Sequence, residues 1–186
     1  MRIIAGIYKG FRINSVEGYT ARPTSDFVRE MMFSTLYSLI PNYDTVLDLY
    51  AGSGALGFEA LSRGAREITF VEASKNSIAT IISNINKLNC KEKCRIIKKN
   101  VTTTPLNLNQ KFNLIFADPP YNKNLVNRTI TIIKENDLLS EEGVLIVEHS
   151  KNEPIMEDFA KYVFKVKTTA TITVSFINFR SYYADI

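Results

Sequence analysis

The chain has 186 residues, of which 45% are hydrophobic, so it is long enough for one well-buried core and too short for two ordinary domains. No apolar run reaches the length of a membrane span, and the N-terminus lacks an apolar core with a small-residue cleavage site, so we expect a cytoplasmic protein. The formal net charge of +4 favours a nucleic-acid partner without establishing one.

The first thirteen residues predict a short hairpin or an extended arm with a positive face. Isoleucines and Phe11 alternate loosely with basic residues, and Gly6 and Gly10 permit turns. A segment of this size does not fold alone, so it must lie on the rest of the protein or on the substrate. We therefore divide the chain into a basic N-terminal arm, residues 1–22, and a main domain, residues 23–186.

The main domain begins with a predicted helix from about Ser25 to Ile40. Pro23 disfavours helical backbone before it, Ser25 can cap the first turn, and Asp26 suits the positive end of the helix. The predicted buried stripe of this helix consists of Phe27, Val28, Met31, Met32, Leu36 and Leu39.

From residue 45 onward the patterns of strands and helices alternate. Strands are predicted at 45–50, 67–72, 95–98, 112–117 and 143–149, and helices at 54–63, 74–88 and 125–135. This alternation is typical of an α/β domain with a parallel sheet that binds ligands at the carboxyl ends of its strands. Two β-rich runs at 162–169 and 171–179 have almost no linker between them, and they predict an antiparallel pair at the sheet edge.

The stretch from Val46 to Gly57 predicts a strand, a glycine turn and the start of a helix. Glycines let a ligand approach the main chain, and the helix start offers unpaired N–H groups. Gly52, Gly54 and Gly57 have the spacing of a dinucleotide fingerprint, and Glu72 follows where an acid would hold ribose hydroxyls. The pattern favours a nucleoside-containing cofactor but does not say which one.

The second motif is Asp118-Pro119-Pro120-Tyr121, directly after the strand at 112–117. Two prolines make the backbone rigid and remove two N–H donors, which leaves carbonyl oxygens as acceptors beside the Asp118 carboxylate. Such a site suits the amino group of a flat ring that stacks on Tyr121. A rigid turn that only caps the next helix is the simpler alternative.

Basic residues and cysteines complete the inventory. The basic residues of the first thirty positions are Arg2, Lys9, Arg12, Arg22 and Arg29, and a second cluster consists of Lys87, Lys91, Lys93, Arg95, Lys98 and Lys99. The second cluster is interpreted either as a solvated face or as a binding surface. Cys90, Cys94 and the single histidine, His149, are too few for a zinc site, so we expect reduced thiols and no metal.

Taken together, these motifs resemble the class I methyltransferases that use S-adenosylmethionine, and more narrowly the RsmD family, which methylates guanine N2 in 16S ribosomal RNA. The narrower resemblance rests on residues 2–6 with 9–12, on Arg22-Pro23-Thr24 with Arg29-Glu30 and Phe33, and on residues 56–65. It extends from Arg2 to about His149. It implies an α/β, Rossmann-like fold with a mostly parallel seven-stranded sheet, an antiparallel C-terminal strand pair and a small N-terminal hairpin.

The resemblance also implies roles for individual residues. S-adenosylmethionine would be bound by Asp48, Ala51, Gly52, Ser53 and Gly54 at its methionine end, by Glu72 at its ribose, and by Asn100 and Val101 at its adenine. This chain departs from the family at three places. The family more often has an acid at the position of Asn100, a glycine near the turn at residues 167–171, where this chain has none, and a glycine at the position of Ala5.

The same resemblance implies in-line methyl transfer to an amine held by the second motif. Asp118 would accept from the guanine amino group, the Pro119 and Pro120 segment would take the second hydrogen, and Tyr121 would stack on the base. The target base must leave its RNA stack, and Arg2, Lys9, Arg12, Arg22 and Arg29 would hold phosphates nearby. We expect the protein to act as a monomer on 16S rRNA or the small ribosomal subunit.

Two alternatives stay open at this point. A methyltransferase acting on another amine or amide, such as adenine N6 in DNA or a protein glutamine, would use a similar Asp-Pro-Pro-Tyr motif. A nicotinamide-dependent oxidoreductase or a nucleotide-binding module would use the three glycines and Glu72, but it would leave Asp118 to Tyr121 unexplained.

Overall fold

The structure is a computed structural model that describes residues 1–16, 25–40, 42–103, 106 and 108–180. Its helices are α1 (Asp26–Leu39), α2 (Ala55–Ser62), α3 (Lys75–Leu88), α4 (Leu125–Glu135) and α5 (Glu157–Ala160). Its strands are β1 (Thr45–Leu49), β2 (Glu67–Glu72), β3 (Cys94–Lys98), β4 (Phe112–Ala117), β5 (Leu139–Ser150), β6 (Val163–Thr168) and β7 (Ile172–Ile177).

The seven strands form one sheet in the order β3-β2-β1-β4-β5-β7-β6. The first five strands in this order are parallel, and β7 pairs antiparallel with both β5 and β6. This is the predicted fold class, including the antiparallel pair at the end of the chain. The final strand, β7, lies between β5 and β6, so β6 forms one edge of the sheet and β3 forms the other.

Two apolar layers cover the sheet. One layer contains Leu36 of α1, Phe58 of α2 and Ile81 of α3, and the other contains Ile130 and Ile133 of α4. Successive residues of the central strands alternate between the layers, as the period of a strand requires. Among the described residues, no helix is long and apolar enough to cross a membrane.

Three details differ from the sequence predictions. Phe27 is 70% exposed, so it does not belong to the buried stripe of α1. β5 begins at Leu139, because Leu139 pairs with Phe112 before an irregularity in the register. The short helix α5 has no periodic pattern long enough to predict it.

The N-terminal residues form the predicted hairpin, and it is docked on α2. Arg2 and Arg12 form an antiparallel bridge, and the Ile3 amide donates to the Phe11 carbonyl over 3.0 Å. The amides of residues 4 and 5 donate to the buried Glu59 carboxylate over 2.8 and 3.1 Å. The division between arm and domain at residues 22 and 23 lies outside the described residues and stays a prediction.

Gly6 brings the hairpin into direct contact with α2. Its φ is +82°, and an added Cβ would lie 1.8 Å from the backbone oxygen of Ser62. Gly10 in the same hairpin has a similar φ of +85°, but nothing lies within 4 Å of its Cβ position. A comparison of substitutions at the two glycines therefore distinguishes the effect of backbone strain from the effect of close packing.

We expect Gly6→Ala to lower the free energy of unfolding by about 1–3 kcal/mol more than Gly10→Ala does. Both alanines bear the strain of a positive φ, but only the alanine at position 6 must push the hairpin away from Ser62. Urea denaturation of both variants measures this difference, and hydrogen exchange at the Ile3 and Ile13 amides reports on detachment. Equal losses in the two variants would contradict the close contact.

Candidate active site

The turn after β1 lies at the carboxyl end of the central strands. Tyr50, Gly52 and Gly54 have φ values of +59°, +56° and +80°, and the Gly54 amide donates to the Ala51 carbonyl over 2.7 Å. A left-handed conformation costs a bulky residue such as Tyr50 about 1–2 kcal/mol. A hydrogen bond between the Tyr50 hydroxyl and Thr129 Oγ1 on α4, 2.7 Å apart, offsets part of this cost.

The glycines of the turn have different surroundings. A Cβ on Gly52 would meet no atom closer than the Tyr50 carbonyl oxygen at 3.9 Å, so the space beside this residue is open. A Cβ on Gly57 would lie 2.4 Å from the Phe70 ring, and one on Gly54 would lie 2.6 Å from the Phe58 ring. Gly52 therefore leaves room for a ligand, whereas Gly54 and Gly57 allow α2 to pack closely.

The buried side chain of Asp48 connects β1 to the start of α2, just after the turn. Its side chain is 2% exposed, and its Oδ2 accepts from the Gly57 amide over 3.0 Å. Burial raises the pKa of Asp48 to about 8, against a smaller lowering by the Gly57 hydrogen bond and with a further increase from the charge of Glu72. The structure thus gives Asp48 a contact with the turn backbone in addition to its predicted role beside the cofactor.

Glu72 at the end of β2 holds the same turn from the side. Its Oε2 accepts from the Gly52 amide over 2.8 Å, and its Oε1 accepts from the amides of Ala73 and Ser74 over 2.8 and 2.9 Å. Oε2 thus receives one donor and Oε1 receives two. Since each carboxylate oxygen can accept two hydrogen bonds, Oε2 is the oxygen with capacity for a ribose hydroxyl.

The other predicted cofactor residues lie around this turn. Ala51 is buried and donates to the Val71 carbonyl over 3.3 Å, and the Ser53 carbonyl accepts from Asn84 Nδ2 over 3.0 Å. Asn100 follows β3 and is exposed, and its Oδ1 accepts from the amide and the hydroxyl of Thr102, each over 3.0 Å. Val101 is 2% exposed, within the layer of α4.

The register of the sheet places the Asp118-Pro119-Pro120-Tyr121 motif beside the glycine turn. Leu49 at the end of β1 is paired with Ala117 at the end of β4, and Asp118 is the next residue. Paired strands lie about 4.8 Å apart, so the two loops leave the sheet side by side. Asp118 is half-buried, Pro119 is buried and Pro120 is exposed.

Two buried glutamates fix the second loop, and the sequence analysis missed both. The Tyr121 hydroxyl donates to Glu148, which is 2% exposed on the neighbouring strand β5. Glu153 accepts from the amides of Asn122 and Leu125 over 2.8 and 2.9 Å. An acid at the end of the apolar run 144–147 was the available signal for Glu148, because a buried charge needs a partner.

The residues predicted to bind RNA have diverse positions. Arg2, Lys9 and Arg12 lie exposed on the hairpin, and Arg22 lies outside the described residues. Arg29 is 0% exposed, and its Nη2 donates to the Arg2 carbonyl over 2.8 Å and pairs with Asp26 over 2.6 Å. This position does not suit a direct phosphate contact, because the guanidinium connects α1 to the hairpin instead.

The cysteines are remote from this site in the fold. Cys90 and Cys94 are free thiols with Sγ atoms 3.7 Å apart, at the end of α3 and the start of β3. Within the described ranges, no group of three histidine, cysteine or acidic side chains is placed to hold a metal ion.

The site as a whole fits a nucleoside-containing cofactor. Open space beside Gly52, the remaining capacity of Glu72 Oε2 and the start of α2 lie at one end of the sheet. Gly54 caps α2 without a side-chain hydrogen bond, so backbone groups rather than a cap side chain define this helix start. The acceptor motif at Asp118 lies next to this space, where a substrate amine can meet a bound cofactor.

The pKa of Asp48 predicts a pH dependence of stability. Between about pH 4 and pH 8 the unfolded chain loses the Asp48 proton while the folded chain retains it, so the free energy of unfolding decreases as pH rises. Asp48→Asn keeps an acceptor for the Gly57 amide and removes the titration. We therefore expect the variant to lose less stability than the native protein between pH 5 and pH 8 in urea denaturation.

The exposed Glu67 provides the matched control for this change. Glu67→Gln should leave the native pH dependence in place. A slope for Asp48→Asn that equals the native slope would show that Asp48 is ionised in the folded protein over this range.

Comparison with known proteins places this architecture in a family. The family model described as "Conserved hypothetical protein 95" matches residues 1–178. "Ribosomal RNA small subunit methyltransferase D" from Haemophilus influenzae is 34% identical over 177 residues, which are 93% of this chain and 91% of that protein. The protein of the same name from Buchnera aphidicola subsp. Acyrthosiphon pisum is 33% identical over 171 residues, covering 91% and 88%.

A solved structure agrees with these matches. "Putative methyltransferase yhhF" from Escherichia coli superposes with a TM-score of 0.81 and 30% identity, covering 95% of this chain and 96% of that one. The chain therefore belongs to the family described as "Conserved hypothetical protein 95", the RsmD family that its sequence motifs resemble.

Proposed function

We propose that the protein is an S-adenosylmethionine-dependent methyltransferase that modifies the exocyclic N2 amine of a guanine in 16S rRNA. The observation that carries the proposal is the pairing of Leu49 with Ala117, which brings the Asp118 motif next to the glycine turn. The names of the relatives, ribosomal RNA small subunit methyltransferase D, supply the substrate class. The guanine and its N2 position rest on the resemblance to the RsmD family.

The cofactor proposal follows from the turn. Gly52 and Ser53 would lie along the methionine portion, Glu72 Oε2 would accept from the ribose, and Val101 with Asn100 would border the adenine. When bound, S-adenosylmethionine supplies an electrophilic methyl group on a sulfonium sulfur. Asn100 would have to release Thr102 before its Oδ1 could accept from the adenine amine.

The chain's own residues then position the amine. Asp118 accepts a hydrogen bond from the guanine amino group and stabilises the positive charge that forms on its nitrogen, and the proline carbonyl region accepts a hydrogen bond from the second amine hydrogen. The methylated amine then loses one proton, to Asp118 or to water, and becomes neutral. The Tyr121 ring stacks on the base, and Glu148 holds that ring in one orientation through the phenol hydroxyl. Holding the amine about 3–3.5 Å from the methyl carbon, in line with the leaving group, supplies several kcal/mol.

RNA binding would give a function to the exposed cations of the hairpin. Phosphate contacts from Lys9 and Arg12 would hold the strand while the target guanine leaves its stack. Small ribosomal subunits and their precursors are cytoplasmic, so the proposal places the protein there, acting as a single chain.

The test is transfer of a labelled methyl group from S-adenosylmethionine to unmodified 16S rRNA and to small subunits reconstituted from it. We expect N2-methylguanosine in the digested RNA. A methyl group on adenine, on a ring nitrogen or on protein would overturn the assigned substrate. Calorimetric binding of NAD but not S-adenosylmethionine would instead favour the oxidoreductase alternative.

Asp118→Ala should reduce kcat by at least about 100-fold, the scale for loss of one electrostatic contact to a reacting group. Asp118→Asn keeps an acceptor oxygen but loses the charge, so an intermediate kcat is expected. The affinity for S-adenosylmethionine should change by no more than a few-fold in both variants, because Asp118 faces the substrate. Loss of cofactor binding in calorimetry would contradict this role.

Replacing Lys9 and Arg12 together with glutamine should weaken RNA binding. The slope of log Kd against log salt should decrease by about 1.4–1.8, since each of the two phosphate contacts contributes about 0.7–0.9. Filter binding at several salt concentrations measures the slope. An unchanged slope would remove the hairpin from the RNA interface.

A further inference from the structure

The two basic segments of the sequence lie next to each other in the fold. The first is the hairpin at residues 1–16, and the second is the connection from α3 to β3, residues 87–99. Asn14 makes the junction: its amide donates to Asn84 Oδ1 over 2.7 Å, and its Nδ2 donates to Ser83 Oγ over 3.0 Å. Residues more than sixty positions apart thus form one surface.

Two further contacts extend the junction to the 3-10 turn at Lys91–Lys93. Lys87 Nζ lies 3.4 Å from Asn14 Oδ1, at the C-terminal end of α3. Tyr8 of the hairpin packs against the same apolar cluster as Cys90 and Cys94, which flank the turn. The hairpin therefore lies beside the C-terminal half of α3, next to the turn.

This joined surface is strongly positive. Residues 1–16 contain three cations and no acid, and residues 87–99 contain six cations and one acid, Glu92. Five of the cations define what we term the basic edge surface: Lys9, Arg12, Lys87, Lys91 and Lys93, all exposed. Within the part of the chain that the structure describes, none of these five forms an ion pair.

The opposite edge of the sheet has a different charge balance. The order of the strands puts β3 at one edge and β6 at the other. Around β6, residues 157–168 contain three cations and two acids. The charge that a phosphate backbone would favour is therefore concentrated at the β3 edge, where the hairpin already offers exposed cations.

Exposed apolar groups lie among these cations. Phe11 is 49% exposed and Ile7 is 69% exposed. The Phe11 ring meets the Tyr8 ring edge to face, with 6.1 Å between the ring centroids. Aromatic faces beside cations suit unstacked bases as well as phosphates. A strand of RNA satisfies both features, whereas a purely acidic peptide would satisfy only the charge.

We propose that Lys87, Lys91 and Lys93 make the basic edge surface a second RNA-binding surface continuous with the hairpin, which holds the phosphate backbone of the rRNA substrate at a distance from the target base. It rests on the proposed function and deepens it, because it extends the RNA interface from the hairpin to the connection between α3 and β3. Its contacts are to phosphates, so they increase affinity without reading the base.

The test compares two variants that lose the same charge at opposite sheet edges. The first is Lys87→Gln/Lys91→Gln/Lys93→Gln, and the matched control is Lys161→Gln/Lys165→Gln/Lys167→Gln at the β6 edge. The probes are unmodified 16S rRNA transcribed in vitro and small subunits reconstituted from it. Binding is measured across a range of salt concentrations, and methyl transfer is measured as kcat and KM for RNA.

For the first variant we expect the salt slope to decrease by about 2–3 and the KM for RNA to rise at least about fivefold, with kcat unchanged at saturation. In the control variant, the decrease in the salt slope and the rise in the KM for RNA should each be less than about half of those in the first variant. Glu92→Gln should act in the opposite direction and tighten binding, because it removes the single acid of this surface. Thermal unfolding verifies that all three variants are folded.

The outcomes separate this inference from the proposed function. Equal effects of the two triple variants, or an unchanged slope in the first, would overturn the second RNA surface while methyl transfer by the native protein still supports the enzyme. Failure of the native protein to methylate either probe would overturn the proposed function and this inference with it.

Discussion

The parallel pairing of β1 with its two neighbours is the constraint on which the site depends. Leu49 is in register with Val71 of β2 and with Ala117 of β4, so three strands end at the same level. The residues that follow them begin the glycine turn, end β2 at Glu72 and begin the Asp118 motif. A shift of one residue in either pairing would turn each strand's side chains to the opposite layer, and the apolar burial on both faces opposes such a shift.

Carboxylates that accept backbone amides hold the loops at this level. Asp48 holds the start of α2, Glu72 holds Gly52, and Glu153 holds the loop after Tyr121. Glu59 performs the same function for the hairpin. A backbone amide that loses its buried acceptor is left unsatisfied, so the loss of any of these hydrogen bonds is expensive. The loops around the site are therefore positioned before any ligand binds, which is what in-line transfer to an amine requires.

The hairpin connects this site to the RNA in the proposed complex. Asn84 Nδ2 donates to the Asn14 carbonyl over 3.1 Å and to the Ser53 carbonyl over 3.0 Å, so one buried amide holds both the hairpin and the glycine turn. Arg29 connects α1 to the same hairpin, in place of the phosphate contact predicted from the sequence. The N-terminal residues are thus integrated into the protein surface beside the turn, and their exposed cations have a defined position relative to the cofactor side.

The sequence by itself determined the order of strands and helices, the glycine turn, the acceptor motif and the family. These features are local: the period of apolar residues, the glycine spacing and the run Asp118 to Tyr121 depend on neighbours in the chain. The tertiary structure alone decided which distant side chains meet. Burial of Arg29 and Phe27's exposure follow from where α1 lies against the hairpin and the sheet. The apolar run before Glu148 marks it as a buried acid, but its partner Tyr121 is brought to it only by the pairing of strands. The contacts of Glu153 with the second loop and the junction of the two basic segments likewise form only after the sheet has formed.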